Sequence, residues 1–275
     1  MQGPSRTALG VAAHRAVHQI LEGGSVFRDP FAQTILGQDA DAIIAERSDP
    51  RYRTMRLFVA VRSRFAQDSL EAAVRRGIRQ AVVLGAGLDT TALRNPGLAV
   101  FEVDHPLTQE WKRAQLARMT IAPPARLRFA PVDFEREKLC DGLAAAGFDT
   151  GQPAFFIWLG VVPYLTQASI ESTLDFAAAM PGSEIVLDYS EPLERYLPED
   201  RERAMALAQR VAALGEPFLS HFTPQDMTAL LRRTGFDDIE DLGPREIAAR
   251  FFNQHDRPQK AGIHVLRARS SSERN

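Results

Sequence analysis

A chain of 275 residues, 45% hydrophobic and 25% charged, is long enough to bury one full α/β core or two small ones, and its composition is that of an ordinary soluble globular protein. A net charge of −2, with basic residues scattered into short clusters such as Arg75-Arg76 and Arg232-Arg233, gives no electrostatic hold on a nucleic acid or an anionic membrane. The one cysteine, Cys140, excludes an intramolecular disulfide and supplies no metal-ligand spacing, so it reads as a buried or incidental thiol and no metal is expected.

No apolar run approaches the roughly 20 residues of a membrane span. "MQGPSRTALG" lacks the basic-then-apolar pattern of a signal peptide, and the expected location is the cytoplasm. The first eighty residues read as helix. "RTALGVAAHRAVHQIL" is alanine-rich, and "DPFAQTILG" has the form of a capped short helix ending at Gly37. "YRTMRLFVAVRSRFAQDSLEAAVRRG" spaces its apolar positions by three and four and closes on Gly77. Alternation follows: strands over 80–84, 99–103, 127–132, 154–159 and 184–189, with helices notably over 106–121 and 167–180. Several of these strands are apolar throughout ("AVVL", "AFFIWL"), which predicts a parallel sheet covered on both faces. In the last third, "PEDRERAMALAQRVAALG" and "TPQDMTALLRRTGF" read as helices that each run to a glycine. "DDIEDL" and "GIHVLRAR" read as two more strands, with "PREIAARFF" between them. No linker separates domains. A single domain with helical additions is expected, and the tail "SSSERN" is expected to be disordered.

Gly85-Ala86-Gly87 falls where the first buried strand turns toward a helix. Ligands of open α/β sheets bind at the carboxyl ends of the strands, at the topological switch point, and glycine there permits positive φ and close approach of a ligand. A tight turn with no ligand is the plainer alternative. The next strand, "AVFEVDHP", ends on Asp104, roughly 20 residues after the glycines, where a carboxylate can accept both hydroxyls of a ribose. A helix N-cap before Pro106 is the alternative for Asp104 taken alone. A diphosphate-binding loop would carry a third small residue where Thr90 stands, and Asp89 beside it repels phosphate while suiting an ammonium group. S-adenosylmethionine has an amino group, a sulfonium and a ribose but no phosphate, and it is favoured over a nicotinamide cofactor. Asp133, after the third strand in "RFAPVDFE", stands where an adenine amino group would be read; a loop-capping aspartate is the alternative.

These residues resemble the leucine carboxyl methyltransferase family, especially its bacterial branch of S-adenosylmethionine-dependent O-methyltransferases often found near polyketide pathways. The resemblance runs through "SRTAL", "FRDPFA", "VRSRFAQD", "QAVVLGAGLDTTALR", "FEVDHPLTQEWKR", "PVDFE", "GVVPYLT" and "GEPF". It implies a Rossmann-like class I methyltransferase, α/β, with a seven-stranded, mostly parallel sheet whose last strand is antiparallel. It also implies a helical cap over 1–78, a cofactor-binding core over 79–190, a helical insertion over 191–235 and the last strands over 236–269. In that frame Gly85, Ala86 and Gly87 face the methionine part of the cofactor, with Asp89 toward its amino group. Asp104, followed by His105, takes the ribose, and Asp133 with Phe134 holds the adenine. Arg62, on the long helix before the sheet, matches the residue that meets the methionine carboxylate; Arg64 on the same helix is the alternative. One departure stands out: the family's fourth strand ends in an acid before glycine, whereas "IWLGVVPYLT" puts Leu159 there.

Methyl transfer from a sulfonium is an in-line displacement that needs alignment and exclusion of water. A carboxylate acceptor is already anionic, whereas a phenol of pKa about 10 needs a base. Tyr164 and His221 are the candidate acceptor-pocket residues, His105 is expected to cap the helix that follows it, and Arg6 is a candidate anchor for an anionic acceptor. The expected activity is O-methylation of a carboxyl or phenolic oxygen of a small molecule, with polyketide-type metabolites as the expected class. The alternatives are methylation of a protein C-terminus and cofactor binding without transfer, the latter suggested by Leu159.

Overall fold

Three helices occupy the first part of the chain, and they form where apolar residues recur at helical spacing. The computed structural model describes residues 6–119, 122–133 and 136–271, without the side chains of Arg6 and Asp39. Helix α1 spans Arg6–Leu21, α2 Ala40–Arg47 and α3 Arg53–Arg75. Ala12, Ala13 and Ala16 on α1 are fully buried and pack with Ile35, Leu36, Leu88, Leu93 and Leu116. Short side chains on that face let large ones interdigitate without voids. The stretch before α2 differs from expectation. In place of an α-helix ending at Gly37 there is a 3-10 winding over Thr34–Asp39, with Gly37 inside it at φ 77°. A left-handed residue interrupts α-helical hydrogen bonding at that point.

The alternation then proceeds as β1 Gln80–Leu84, α4 Thr91–Arg94, β2 Ala99–Asp104, α5 Pro106–Arg118, β3 Leu127–Pro131 and α6 Leu139–Ala145. It continues with β4 Phe155–Trp158, α7 Gln167–Ala178, β5 Glu184–Ser190, α8 Pro198–Ala213 and α9 Pro224–Thr234, and closes with β6 Phe236–Leu242, α10 Pro244–Phe252 and β7 Ile263–Ser270. The strands make a seven-stranded mixed sheet in the order β3-β2-β1-β4-β5-β7-β6. All residues of β1 and β4 are buried, as parallel strands covered on both faces require. The two late strands are those read from the sequence, and β7 runs antiparallel to both β5 and β6.

The chain divides into two compact units, Met1–Ala72 with Arg79–Asp149, and Ala73–Ile78 with Thr150–Asn275. In the first, β1 pairs with β2 and β2 with β3, all parallel. In the second, β4 pairs parallel with β5, and the β5-β7-β6 set is antiparallel. Helix boundaries follow local chemistry. Thr166 and Thr223 accept from the backbone amides of Ser169 and Asp226 to start α7 and α9, and Gly235 ends α9 at φ 106°. Among the described residues no helix is long and apolar enough to cross a membrane. Cys140, expected to be buried or incidental, is exposed at the start of α6, because the buried position of that short helix is Leu143.

The second unit is pinned by a buried polar cluster. His264 on β7 meets Asp241 Oδ1 through Nδ1 at 2.9 Å and Glu191 Oε1 through Nε2 at 3.2 Å. Tyr189 stacks on its ring at 4.8 Å and donates to Asp241 Oδ2 at 2.5 Å. Burial alone would lower the pKa of His264, but the hydrogen bond and charge of Asp241, followed by those of Glu191, outweigh it and raise the value above 6.5. The protonated ring therefore adds stability that is complete below about pH 6.5 and is lost as pH rises through the folded-state value. Urea denaturation across neutral and mildly alkaline pH is expected to show wild-type stability falling relative to His264→Asn as pH increases. A gap between the two that widens with pH would contradict this assignment.

Candidate functional site

The apolar β1 delivers the chain into a turn where Gly85 has φ 63° and Gly87 φ 46°, conformations that a Cβ makes costly. The Ala86 amide extends the β1–β2 ladder by donating to Val103 O at 3.0 Å. The Gly87 amide leaves the ladder and donates to Asp104 Oδ2 at 2.5 Å, while Asp104 Oδ1 accepts from the His105 amide at 2.7 Å. The end of β2 is thereby bound to the glycine turn at the end of β1. Burial raises the Asp104 pKa, against the two amide bonds and Lys112, which lower it. Each carboxylate oxygen keeps acceptor capacity beyond the one amide it holds. The cap of α5 is His105, whose Nδ1 accepts from the Leu107 amide at 3.3 Å, so the N-cap alternative for Asp104 does not apply. The start of α1 lies over the turn: a Cβ at Gly87 would come 3.0 Å from Ala8 Cβ.

The polar groups beneath the turn are matched within the fold. Asp89 Oδ1 accepts from the Thr91 amide at 2.6 Å. Burial disfavours charge on Asp89, but Arg94, then Lys112 and Arg15, together with that amide, outweigh it and hold its carboxyl below the ordinary range. Lys112 Nζ donates to the Asp89 carbonyl at 2.6 Å and pairs with Glu102 Oε2 at 2.6 Å, and both side chains of that pair are buried. Burial pushes the Glu102 pKa up to about 7 even with the ammonium against it. Arg15 on α1 donates to Leu88 O at 2.6 Å and to Asp29 Oδ2 at 2.9 Å, and Asp29 Oδ2 also accepts from Thr90 Oγ1 at 2.8 Å. Thr90, at the third position of the loop pattern, is thus a buried link between the loop and the helical cap.

Asp133 lies one residue beyond the β2–β3 ladder, where Val132 donates to Asp104 O at 3.0 Å, so the two aspartates share one edge of the sheet. Phe134 lies outside the described residues. Arg62 on α3 is buried, with its guanidinium 5.9 Å from the Phe58 ring. Arg64 pairs with Asp68 at 2.7 Å, with both side chains partly in solvent.

In the second unit, Leu159 follows β4 and is half-buried. Gly160 after it has φ 72° and donates to Asp188 Oδ1 of β5 at 2.5 Å. Tyr164 ends a 3-10 turn over Val162–Tyr164, and its ring lies 5.2 Å from that of Phe218. His221 lies 6.4 Å from the same Phe218 ring, edge-on at 88°. The two acceptor-side candidates are therefore joined through one aromatic. The Arg6 side chain is outside the described set.

Sequence reasoning passed over Lys112, Glu102, Arg15, Ser190 and Phe218. For Lys112 a signal exists: Gln109, Lys112 and Gln115 recur at intervals of three on α5 and are all buried, a polar stripe where an apolar face would be ordinary. The others are brought together only by contacts between elements distant in the chain.

The profile of the family described as leucine carboxyl methyltransferase matches residues 8–178. A Bacillus subtilis protein, YktD, named as a candidate S-adenosyl-L-methionine-dependent methyltransferase, is 39% identical over 184 residues, covering 64% of this chain and 60% of its own length. A Mycolicibacterium paratuberculosis protein with the same description is 32% identical over 259 residues, covering 86% of this chain and 78% of that one. The chain thus spans about three-fifths of the length of the Bacillus relative. Among solved structures, a candidate methyltransferase from Thermobifida fusca is 18% identical with a TM-score of 0.59, covering 98% of this chain and 96% of that one. That likeness concerns the fold.

Lys112→Met is expected to destabilise the protein by about 3 kcal/mol or more in urea denaturation at pH 7, because it removes one partner of a buried pair and releases the Asp89 carbonyl. Glu102→Gln should cost clearly less, since burial already brings Glu102 close to neutrality. Equal losses from the two variants would contradict the assignment.

Proposed function

The chain belongs to the leucine carboxyl methyltransferase family, and from that premise we propose that it transfers the methyl group of S-adenosylmethionine to a carboxyl or phenolic oxygen of a small molecule, with polyketide-type metabolites as the substrate class. The observation that carries the cofactor assignment is the Asp104 carboxylate, held at the tip of β2 by the Gly87 amide at 2.5 Å. A ribose offers two hydroxyl donors to a carboxylate with acceptor capacity to spare. The adjoining turn takes positive φ at Gly85 and Gly87, a conformation that sets its backbone at the end of the sheet for the methionine part, while Ala8 of α1 faces the Cβ position of Gly87. A diphosphate would meet Asp104 and the charged Asp89 instead, and like charges at short range oppose it.

In this reading Asp104 orders the ribose, Asp133 and Phe134 take the adenine, and Arg62 pairs with the methionine carboxylate. His105 acts by fixing the first turn of α5 beside Asp104. Asp89, engaged by the Thr91 amide and three cations, acts mainly by shaping the loop. The bound cofactor supplies an electrophilic methyl group on a sulfonium; the chain supplies alignment and exclusion of water. Tyr164 and His221, joined through Phe218 in the second unit, are the acceptor-pocket candidates of this reading. A second reading, binding without transfer, is favoured by one observation: the residue beside Gly160 is Leu159 rather than an acid. Asp188, buried and bonded to Gly160, supplies an acid to this edge from β5 and supports the catalytic reading.

Calorimetry with S-adenosylmethionine and with NAD is expected to show binding of the first alone. Asp104→Ala should weaken that binding by about 1–3 kcal/mol, the cost of unpaired buried hydroxyls; unchanged affinity removes the ribose assignment. Leu159→Glu should tighten binding or raise turnover, measured as S-adenosylhomocysteine release. A variant inert with every carboxylic acid and phenol, in a protein that still binds the cofactor, would favour the non-catalytic reading.

A further inference from the structure

Helix α1 carries two histidines one turn apart, and they are matched differently. His18 Nδ1 lies 3.1 Å from Glu22 Oε2, and its Nε2 accepts from the Val26 and Phe27 amides at 3.2 and 3.3 Å. His14 is only 5% exposed. Among the described residues its Nδ1 is nonetheless a buried nitrogen with no hydrogen-bond partner, and so is Nε of Arg47 at the end of α2. The two belong to one cluster. Gly10, one turn before His14, faces Arg47, whose Nη2 would lie 3.5 Å from a Cβ there. The Tyr52 ring stands 5.9 Å from the His14 ring and 4.8 Å from the Arg47 guanidinium. Arg56 of α3 donates to Arg47 O at 3.4 Å and pairs with Glu22 at 2.7 Å. Burial, then the charges of Arg47, Arg56 and Arg62, hold the His14 pKa down to about 3, so the ring is neutral and faced by cations. Glu46 reaches Arg47 only at 3.7 Å, from a side chain largely in solvent. All of these residues lie in the first unit.

We propose that His14 and Arg47 form a binding site for the carboxylate of a small molecule, separate from the carboxylate of the cofactor. Buried polar groups in folded proteins almost always have partners, because one without a partner keeps an uncompensated desolvation cost. Two such nitrogens gathered at one aromatic ring call for a shared acceptor from outside the chain. Both are able to donate: Arg47 Nε always carries a proton, and His14 Nδ1 carries one in that tautomer of the neutral ring. A planar carboxylate offers two oxygens to two donors, and its single charge offsets the guanidinium. A phosphate would bring further oxygens and more charge to a place where the described residues hold no other unpartnered buried donor. The site is offset from the glycine turn. Ala8 is the α1 residue that faces Gly87, and His14 lies six residues farther on, roughly 9 Å along the helix. In the reading above the methionine carboxylate goes to Arg62, so His14 Nδ1 and Arg47 Nε are left for a second one. The assignment uses no step of methyl transfer and stands or falls apart from it.

The test is ¹⁵N NMR of the histidine side chains in the full chain, titrated with sodium acetate at constant ionic strength, with chloride and phosphate as comparison anions. Acetate should move the His14 Nδ1 resonance saturably and leave that of His18 in place; chloride should not move it, and phosphate should bind more weakly than acetate. Arg47→Met should weaken acetate binding by about 10-fold or more through loss of a charge-assisted hydrogen bond, with an unchanged far-UV circular dichroism spectrum. Added acetate should also raise the urea midpoint of the wild type. His14→Leu should lose that response while being more stable than wild type without acetate, because it removes an unmatched buried group. A shift that does not saturate, an equal response to chloride, tighter binding of phosphate, or unchanged acetate affinity in folded Arg47→Met would each overturn the site. A last arm separates it from the cofactor. With S-adenosylhomocysteine bound, acetate should still move His14. If S-adenosylhomocysteine moves that resonance by itself and abolishes the response to acetate, while 5′-methylthioadenosine, which lacks the carboxylate, does neither, the donors belong to the methionine carboxylate. The separate site then falls and the cofactor assignment stands.

Discussion

The candidate site depends on one short hydrogen bond, from the Gly87 amide to the Asp104 carboxylate at 2.5 Å. It binds the end of one strand to the end of the next at the point where the ladder has run out of main-chain partners. Two requirements meet there. The turn needs residues at positive φ, which selects glycine, and the freed amide needs an acceptor, which the second strand supplies as a carboxylate. A side chain that would otherwise move in solvent is thereby fixed at the edge of the sheet with acceptor capacity to spare.

Holding a carboxylate there raises an electrostatic difficulty, since Glu102, Asp104 and Asp89 fall within one short stretch of β2 and the adjoining loop. The fold answers with Lys112, whose ammonium lies between Glu102 and the Asp89 carbonyl, and with Arg15 and Arg94 around Asp89. Charges taken out of water are tolerable only when paired and hydrogen-bonded. The buried stripe on α5 and the Arg15–Asp29–Thr90 link are the means by which the loop keeps its shape, and they explain why Thr90, with its hydroxyl, stands where a dinucleotide loop has a small residue.

The second unit uses the same device differently. His264 is clasped by Asp241 and Glu191 and capped by Tyr189, joining β5, β6 and β7 through one imidazole ring. His221, not far away in chain position from β6, is held by a neutral hydroxyl instead. The contrast lies in the partners: two carboxylates favour the imidazolium of His264, whereas His221 meets the single neutral hydroxyl of Ser190.

By itself the sequence determined the alternation of elements, the glycine turn and the acid at the end of the second strand. Buried parallel strands must be apolar throughout, a left-handed turn selects glycine, and helices begin at residues that satisfy free amides; each is a local rule written in neighbouring residues. The 3-10 winding at Thr34–Asp39 escaped those rules because the packing around Gly37, including the Gln115 side chain, sets that backbone. His105 as the cap of α5 was legible from its place before Pro106; tertiary structure alone decided that Lys112 supports the loop from beneath and that Tyr164 and His221 share Phe218. Hydrogen bonds and ring contacts between residues tens of positions apart leave no periodic trace along a chain; they exist only once the sheet has set the strand ends side by side.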